Sequence, residues 1–251
     1  MTSAQNRAAV VTGASSGIGE ATVRRLAADG WKVWAVARRQ DRLARLAEET
    51  GALPVALDIT DDDGVARLVG EVTEGGGIDT LINIAGGARG TDWVADARTE
   101  DWEWMYEANV LGTMKLVRAF LPMLRENKNG TVLNLTSTAA LVAYEGGAGY
   151  NAAKAAQHAL TQALRLEEVE HNVRVVEILP GMVHTEEFSL RRLGDEAAAE
   201  KVYAGVEKPL SAEDVADVVS YAVSVPHHVN LDQIVVRPLA QAAAHKVIRT
   251  S

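Results

Sequence analysis

Short β-branched runs alternate with longer helix-forming segments along nearly the whole chain, and few folds accept that pattern. Strands are expected at 8–12, 31–37, 53–57, 78–84, 131–135, 173–179 and 234–236. Between them a Gly-rich turn leads into a helix ending near Asp29, and further helices are expected at 41–49, 99–126, 150–170 and 211–225. Thr99 is read as the cap of the longest one, whose acidic first turn (Glu100, Asp101) suits the helix dipole. The strands are apolar almost throughout, which is the mark of strands buried on both faces. Strand, helix, strand in repetition therefore predicts an α/β fold: a doubly wound parallel sheet of about seven strands with helices on both sides. A single domain over 1–251 is expected, with an insertion at about 186–208 and a C-terminal tail at 237–251.

The chain has 251 residues, 47% of them hydrophobic, which suffices for one large core. Its formal net charge of -9 disfavours nucleic acid and anionic membrane as partners. There are no cysteines, so disulfides and thiolate metal sites are excluded. The six histidines show no ligand spacing, and Asp61, Asp62 and Asp63 read as an acidic helix start, so no metal is expected. No apolar run is long enough for a membrane helix, and residues 1–7 lack the apolar stretch of a signal peptide. A soluble, cytoplasmic protein is the expectation.

The first turn reads Thr12-Gly13-Ala14-Ser15-Ser16-Gly17-Ile18-Gly19. Glycines between a strand and a helix permit close backbone approach, and the helix N-terminus offers free N–H groups to a pyrophosphate. The spacing G-x-x-x-G-x-G differs from the common G-x-G-x-x-G, but its place after the first strand favours a dinucleotide. The end of the second strand reads Val36-Ala37-Arg38-Arg39-Gln40. An NAD site places a carboxylate there for the ribose hydroxyl, whereas guanidinium groups bind a 2′-phosphate. NADP(H) is therefore the expected cofactor, with Arg38 and Arg39 as its phosphate ligands. A solvated helix start, like Arg42 and Arg45, is the alternative for these two arginines.

Tyr150 and Lys154 stand four residues apart in Gly149-Tyr150-Asn151-Ala152-Ala153-Lys154, at the head of an Ala- and Leu-rich segment. On a helix the two side chains share a face. A phenol beside an ammonium can have its pKa lowered from about 10 toward neutrality, which suits proton transfer.

These elements together resemble the short-chain dehydrogenase/reductase family, whose motifs recur here in order. The resemblance implies a Rossmann-type fold and hydride transfer between a nicotinamide and a carbonyl or alcohol carbon. It implies cofactor contacts from Gly13, Ser15, Ser16, Gly17, Ile18 and Gly19 in the turn, and from Asp58 and Ile59 near the adenine. Asn83, Ala85 and Gly86 match the segment that steadies the central sheet and are expected to border the cofactor, with Ile84 replacing its usual second asparagine. Pro180, Gly181, Val183 and Thr185 match the segment beside the nicotinamide. By the same resemblance Tyr150 is the proton donor and acceptor, and Lys154 lowers its pKa and binds the nicotinamide ribose. Ser137 would hold the substrate oxygen, and Asn109 would hold a water near Lys154.

The ending after Pro226 is similar to the branch of NADP-dependent 3-hydroxy acid (serine or allo-threonine) dehydrogenases, which also includes broad carbonyl reductases. A hydroxy-acid carboxylate would need a cation, for which Arg89, Arg191 and Arg192 are the candidates. A small-molecule carbonyl or alcohol substrate and a homo-oligomer, dimer or tetramer, are the partners implied. The alternatives are a dinucleotide-binding sensor or scaffold without turnover, a ketoreductase of a biosynthetic pathway, and a dehydratase or epimerase.

Overall fold

Alternate residues of the first strand, β1 (Ala8–Thr12), enter different cores: Ala9 and Val11 pack on one side of the sheet and Val10 on the other. That is the period of two of a strand. With both sides apolar, the strand has to be covered twice. The computed structural model describes residues 7–250; residues 1–6, which carry most of the polar N-terminus, and Ser251 lie outside the described residues.

The sheet has seven parallel strands in the order β3-β2-β1-β4-β5-β6-β7, with β2 (Lys32–Ala37), β3 (Leu53–Ala56), β4 (Thr80–Asn83), β5 (Thr131–Leu135), β6 (Arg174–Pro180) and β7 (Gln233–Val236). The order reverses at β1 and β4, and in such sheets ligands bind in the crevice beyond the strand ends at that point. One face is covered by α1 (Gly17–Ala28), α2 (Gln40–Thr50) and a late helix, Ala212–Ser224, through Val23, Leu26, Leu43, Leu46, Val215 and Val219. The other is covered by α3 (Asp62–Glu74) and by two helices at Gly112–Asn127 and Ala148–Glu168, through Leu68, Val72, Leu116, Phe120, Leu124 and Leu164. Burying such a Leu or Phe contributes about 1.5–3 kcal/mol each. Asp61 caps α3 by accepting from the Asp63 N–H, so the acidic run is the helix start expected of it.

The structure departs from the sequence reading in three places. The long helix from Thr99 is three pieces: α4 (Thr99–Tyr106), a π-helical turn (Glu107–Leu111) and α5 (Gly112–Asn127). Arg98, not Thr99, is the N-cap of α4, and it makes no side-chain cap. The insertion at 186–208 carries two helices, α7 (Phe188–Leu193) and α8 (Glu196–Tyr203), after α6 (Ala148–Glu168). Gly194, at φ 68°, ends α7, and Asp195 caps α8 by accepting from the Ala198 N–H. The late helix is then α9 (Ala212–Ser224), closed at its start by a capping box between Ser211 and Asp214. The tail forms a small hairpin of β8 (Gln241–Ala243) and β9 (Lys246–Val247). Gln241 Oε1 there accepts from the Met182 N–H at 2.8 Å, which fastens the tail to the end of β6. No helix among the described residues is long and apolar enough to cross a membrane.

Candidate active site

A cleft of about 1210 Å³ runs along the carboxyl ends of the strands, from the first turn to Tyr150 and beneath α7. At Gly19 a Cβ would stand 2.2 Å from the Gly13 carbonyl oxygen, so only glycine lets α1 lie this close to the turn. Ser16 is the N-cap of α1 and makes no side-chain cap, which leaves the first helical N–H groups without that partner. Thr12 Oγ1 accepts from the Ile84 and Ala85 N–H groups at 3.0 and 3.1 Å and so pins the end of β4 to the turn. Next to it Gly86 has φ 151°, and a Cβ there would lie 2.4 Å from Asn109 Oδ1. The Asn109 amide is fully engaged in this corner: Nδ2 donates to the Gly87 and Met105 carbonyls, and Oδ1 accepts from the Gly87 N–H.

Arg39 closes the far side of the turn. Its Nε and Nη2 donate to Ser15 Oγ at 3.1 and 3.0 Å, and Nη1 donates to Glu187 Oε1 at 2.5 Å. Arg42 donates to the same carboxylate oxygen at 2.5 Å, and Arg191 pairs with its Oε2 at 2.6 Å. Burial pushes Glu187 up. The Arg39 hydrogen bond and the charges of Arg191, Arg39 and Arg42 outweigh it and hold the carboxyl at about 2. Arg38 stands apart, exposed and 3.8 Å from Asp58. The donor set suits a phosphorylated dinucleotide: two guanidinium groups and the Ser15 hydroxyl beside a glycine turn, with no carboxylate in the run Arg38-Arg39-Gln40.

At the other end Tyr150 lies in the first turn of α6, buried, with Lys154 one turn on and equally buried. Lys154 Nζ is 5.9 Å from the Tyr150 ring centroid and donates to the Leu135 carbonyl and to Gln157 Oε1. Burial drives Lys154 down to about 7, against the charge of Glu177. Tyr150 moves the opposite way from the expectation. Burial raises its phenol, with Tyr144 adding to the rise, while a hydrogen bond from Ser137 and the charge of Arg192 pull it back. The loss of hydration around a phenolate outweighs its neighbours here, and an ammonium itself weakened by burial does not reverse the balance.

The helix α7 covers this end with two neighbouring stripes. Phe188 packs edge-on against Tyr150 at 5.9 Å, and Arg192, one turn later, lies 5.8 Å from the same ring. Arg192 donates to the Gly90 and Gly146 carbonyls and to the Tyr144 hydroxyl. Glu187 and Arg191, on the adjoining stripe, face Arg39 and Arg42. Of the three candidate cations, Arg192 reaches Tyr150, Arg191 is taken by Glu187, and Arg89 stacks on Trp104 beside Asp101.

Ser137, Asp58, Ile59, Ala85, Gly86, Pro180, Gly181, Val183 and Thr185 all line the cleft, as do Arg38, Arg39 and the turn residues Gly13, Ser15, Ser16, Gly17, Ile18 and Gly19. Asn83 and Asn109 do not. Asn83, expected at the cofactor, is buried inside the sheet, where its Nδ2 donates to Asn134 Oδ1. The Asn109 side chain is turned to Gly87 and Met105 rather than to Lys154; its main-chain carbonyl receives the Thr113 hydroxyl instead. The roles of Glu187, Gln157 and Asn151 escaped the sequence reading. Asn151, beside Tyr150, donates to the Ala139 carbonyl at 2.7 Å and holds the loop that carries Tyr144. An amide next to a tyrosine on a helix carries no sequence signal of that kind.

The family model for short chain dehydrogenases matches residues 7–194. An uncharacterised oxidoreductase of Mycobacterium tuberculosis is 51% identical over 243 residues, covering 96% of this chain and 95% of its own. Serine 3-dehydrogenase of Agrobacterium fabrum is 37% identical over 246 residues, covering 96% and 98%. Among solved structures, the closed form of serine dehydrogenase complexed with NADP+ superposes with a TM-score of 0.91 at 36% identity, covering 97% of this chain and 100% of that one. With a match this long and relatives aligned nearly end to end, the chain belongs to the short chain dehydrogenase family.

Proposed function

We propose that this protein is an NADP(H)-dependent oxidoreductase that moves a hydride between nicotinamide and a carbonyl or secondary alcohol carbon of a 3-hydroxy acid or related anionic substrate. The observation that carries the reading is one cleft with the arginine pair Arg39 and Arg42 beside the glycine turn at one end and Tyr150, Ser137 and Lys154 at the other. The turn from Gly13 to Gly19 would hold the pyrophosphate, and Arg39, with Arg38 and Arg42, the 2′-phosphate. Asp58 and Ile59 would border the adenine, and Pro180, Gly181, Val183 and Thr185 the nicotinamide. The cofactor supplies or accepts the hydride.

The side chains do the rest. Tyr150 donates its phenolic proton to the substrate oxygen as a carbonyl is reduced, and takes a proton back when an alcohol is oxidised. A buried phenol with a raised pKa is fully protonated at neutral pH, which suits the donor in reduction. Ser137 donates a hydrogen bond to the same oxygen and stabilises its developing charge. Lys154 holds the ribose and favours the phenolate left behind. Asn109 fixes the Gly86–Gly87 corner and presents its carbonyl toward the Lys154 side. The Arg192 guanidinium near Tyr150 supports an anionic group on the substrate, as does the likeness to serine 3-dehydrogenase.

Tyr150→Phe tests the assignment. With NADPH and a panel of carbonyl substrates, kcat should fall by about a thousandfold or more while NADPH still binds. Turnover close to wild type would remove Tyr150 from the mechanism. Binding of NADPH by the wild-type protein with no oxidation of it by any carbonyl would point to the sensor or scaffold alternative. Arg192→Ala should raise KM for a 3-oxo acid far more than for a neutral ketone.

A further inference from the structure

Three buried polar side chains form a line between α6 and the π-helical turn, and the roles above use only the first. Lys154 Nζ donates to Gln157 Oε1 at 2.8 Å, Gln157 Nε2 donates to Thr113 Oγ1 at 3.1 Å, and Thr113 Oγ1 donates to the Asn109 carbonyl at 2.9 Å. Gln157 is fully buried, and Thr113 is 1% exposed. Each bond sets the direction of the next. An ammonium only donates, so the amide oxygen must face it; the amide nitrogen is then left for Thr113. The single threonine proton has to pass on to Asn109.

We propose that Gln157 is a positioning residue for Lys154, tying its ammonium through Thr113 to the main chain of Asn109 so that it stays beside Tyr150. This rests on the assignment of Lys154 to the mechanism given above. A buried ammonium needs acceptors, and an unpaired one costs several kcal/mol. Among the described residues Lys154 has two, the Leu135 carbonyl and Gln157, and only Gln157 is a side chain. The ionisable groups around it give Nζ no hydrogen bond. Tyr150 shares its helix, Glu177 of β6 is engaged by His158 and by the Thr136 hydroxyl, and Arg192 of α7 is engaged by the Tyr144 hydroxyl and the Tyr150 ring. With Gln157 apolar, the ammonium keeps one acceptor and loses the side chain that holds it beside the phenol.

Four variants test this: Gln157→Leu, Gln157→Glu, Thr113→Val and Lys154→Met. Each is assayed with NADPH and a carbonyl substrate, and for alcohol oxidation with NADP+ across pH. Gln157→Leu should lower kcat by about 10- to 100-fold with substrate KM changed less than about threefold. It should also shift the pH midpoint of the oxidation rate by about one unit, because loss of an acceptor changes how readily Lys154 carries its charge beside the phenol. Thr113→Val, which frees the Gln157 amide, should shift both readouts the same way by less. Gln157→Glu, which keeps an acceptor toward Lys154, should recover most of the turnover.

Wild-type kcat and pH midpoint in Gln157→Leu and Thr113→Val would overturn the proposal, as would equal losses in the Leu and Glu variants with an unmoved midpoint. If Gln157→Leu does not fold, as judged by circular dichroism and NADPH binding, Thr113→Val and Gln157→Glu decide by the same criteria. Lys154→Met with wild-type turnover would instead remove the underlying assignment. An inactive Lys154→Met beside an unaffected Gln157→Leu overturns the Gln157 role alone.

Discussion

Arg39 and Glu187 join the first cofactor turn to the insertion: Arg39 Nη1 lies 2.5 Å from Glu187 Oε1 while Nε and Nη2 hold Ser15 Oγ. The guanidinium is oriented before any phosphate reaches it, and α7 is anchored by the residue that precedes it. The same short helix then sets Phe188 and Arg192 against Tyr150.

Arg39→Ala should weaken NADPH by about 1.5–3 kcal/mol, the range for hydrogen bonds to charged groups, or about 10- to 150-fold in Kd. NADH, which lacks the phosphate, should change by less than about threefold. Fluorescence titration with both cofactors checks the difference; equal losses would mean that Arg39 supports the turn rather than the phosphate.

Glu187 sets an acid limit on stability. Its carboxyl is held at about 2 against an ordinary value of 4.5, so the folded chain binds the proton less tightly than the unfolded one. The contribution is whole above 4.5 and is lost as pH falls from there through about 2. Denaturant midpoints of wild type and Glu187→Gln should therefore converge on acidification across that interval, and stay apart at neutral pH.

Lys154 has the same sign in a more alkaline interval. Its folded value of about 7 lies below the ordinary 10.5, so between them the unfolded chain binds more protons and stability rises with pH. Relative to Lys154→Met, the wild-type protein should gain stability from pH 7 upward and level off near 10.5. A difference that does not vary with pH in unfolding experiments would contradict it.

Phe120→Ala empties the middle of the core under α5, where the ring is completely buried. A loss of about 3–5 kcal/mol is expected from urea unfolding. The substitution lies on the sheet-facing side of the helix, so NADPH affinity in the remaining folded protein should hardly change.

The homo-oligomer expectation is open to light scattering, which should return a dimer or tetramer mass. Trp102 and Tyr106 on α4, Leu166 on α6 and Val169 just after it are exposed apolar side chains that a second subunit would cover. A monomer mass at micromolar concentration would reject the assembly.

The sheet was legible because every strand is a dense apolar run, and because β1 leads straight into glycines that suit few other turns. Tyr150, Lys154 and Ser137 were legible from spacing and resemblance. What lay hidden depends on long-range partners. Nothing local marks Gln157 as the acceptor for Lys154, since its other contact, Thr113, is 44 residues away. Arg42 looked like a solvated helix residue because the carboxylate it meets, Glu187, comes 145 residues later. The direction of the Tyr150 shift was misread for a related reason: spacing displays the neighbouring charge but not the depth of burial that outweighs it.

The π-helical turn at Glu107–Leu111 changes what one continuous helix can serve. Met105 before it packs in the cluster with Tyr150, whereas Leu116 and Phe120 after it pack under the sheet. In a regular α-helix, residues eleven apart would return to almost the same side, at about 100° per residue. The one surplus residue of a π turn acts as a phase shifter of about 100°, so the helix addresses the site with one side and the core with another. Deleting any single residue of that turn would bring the two sides back into register and force a choice between them.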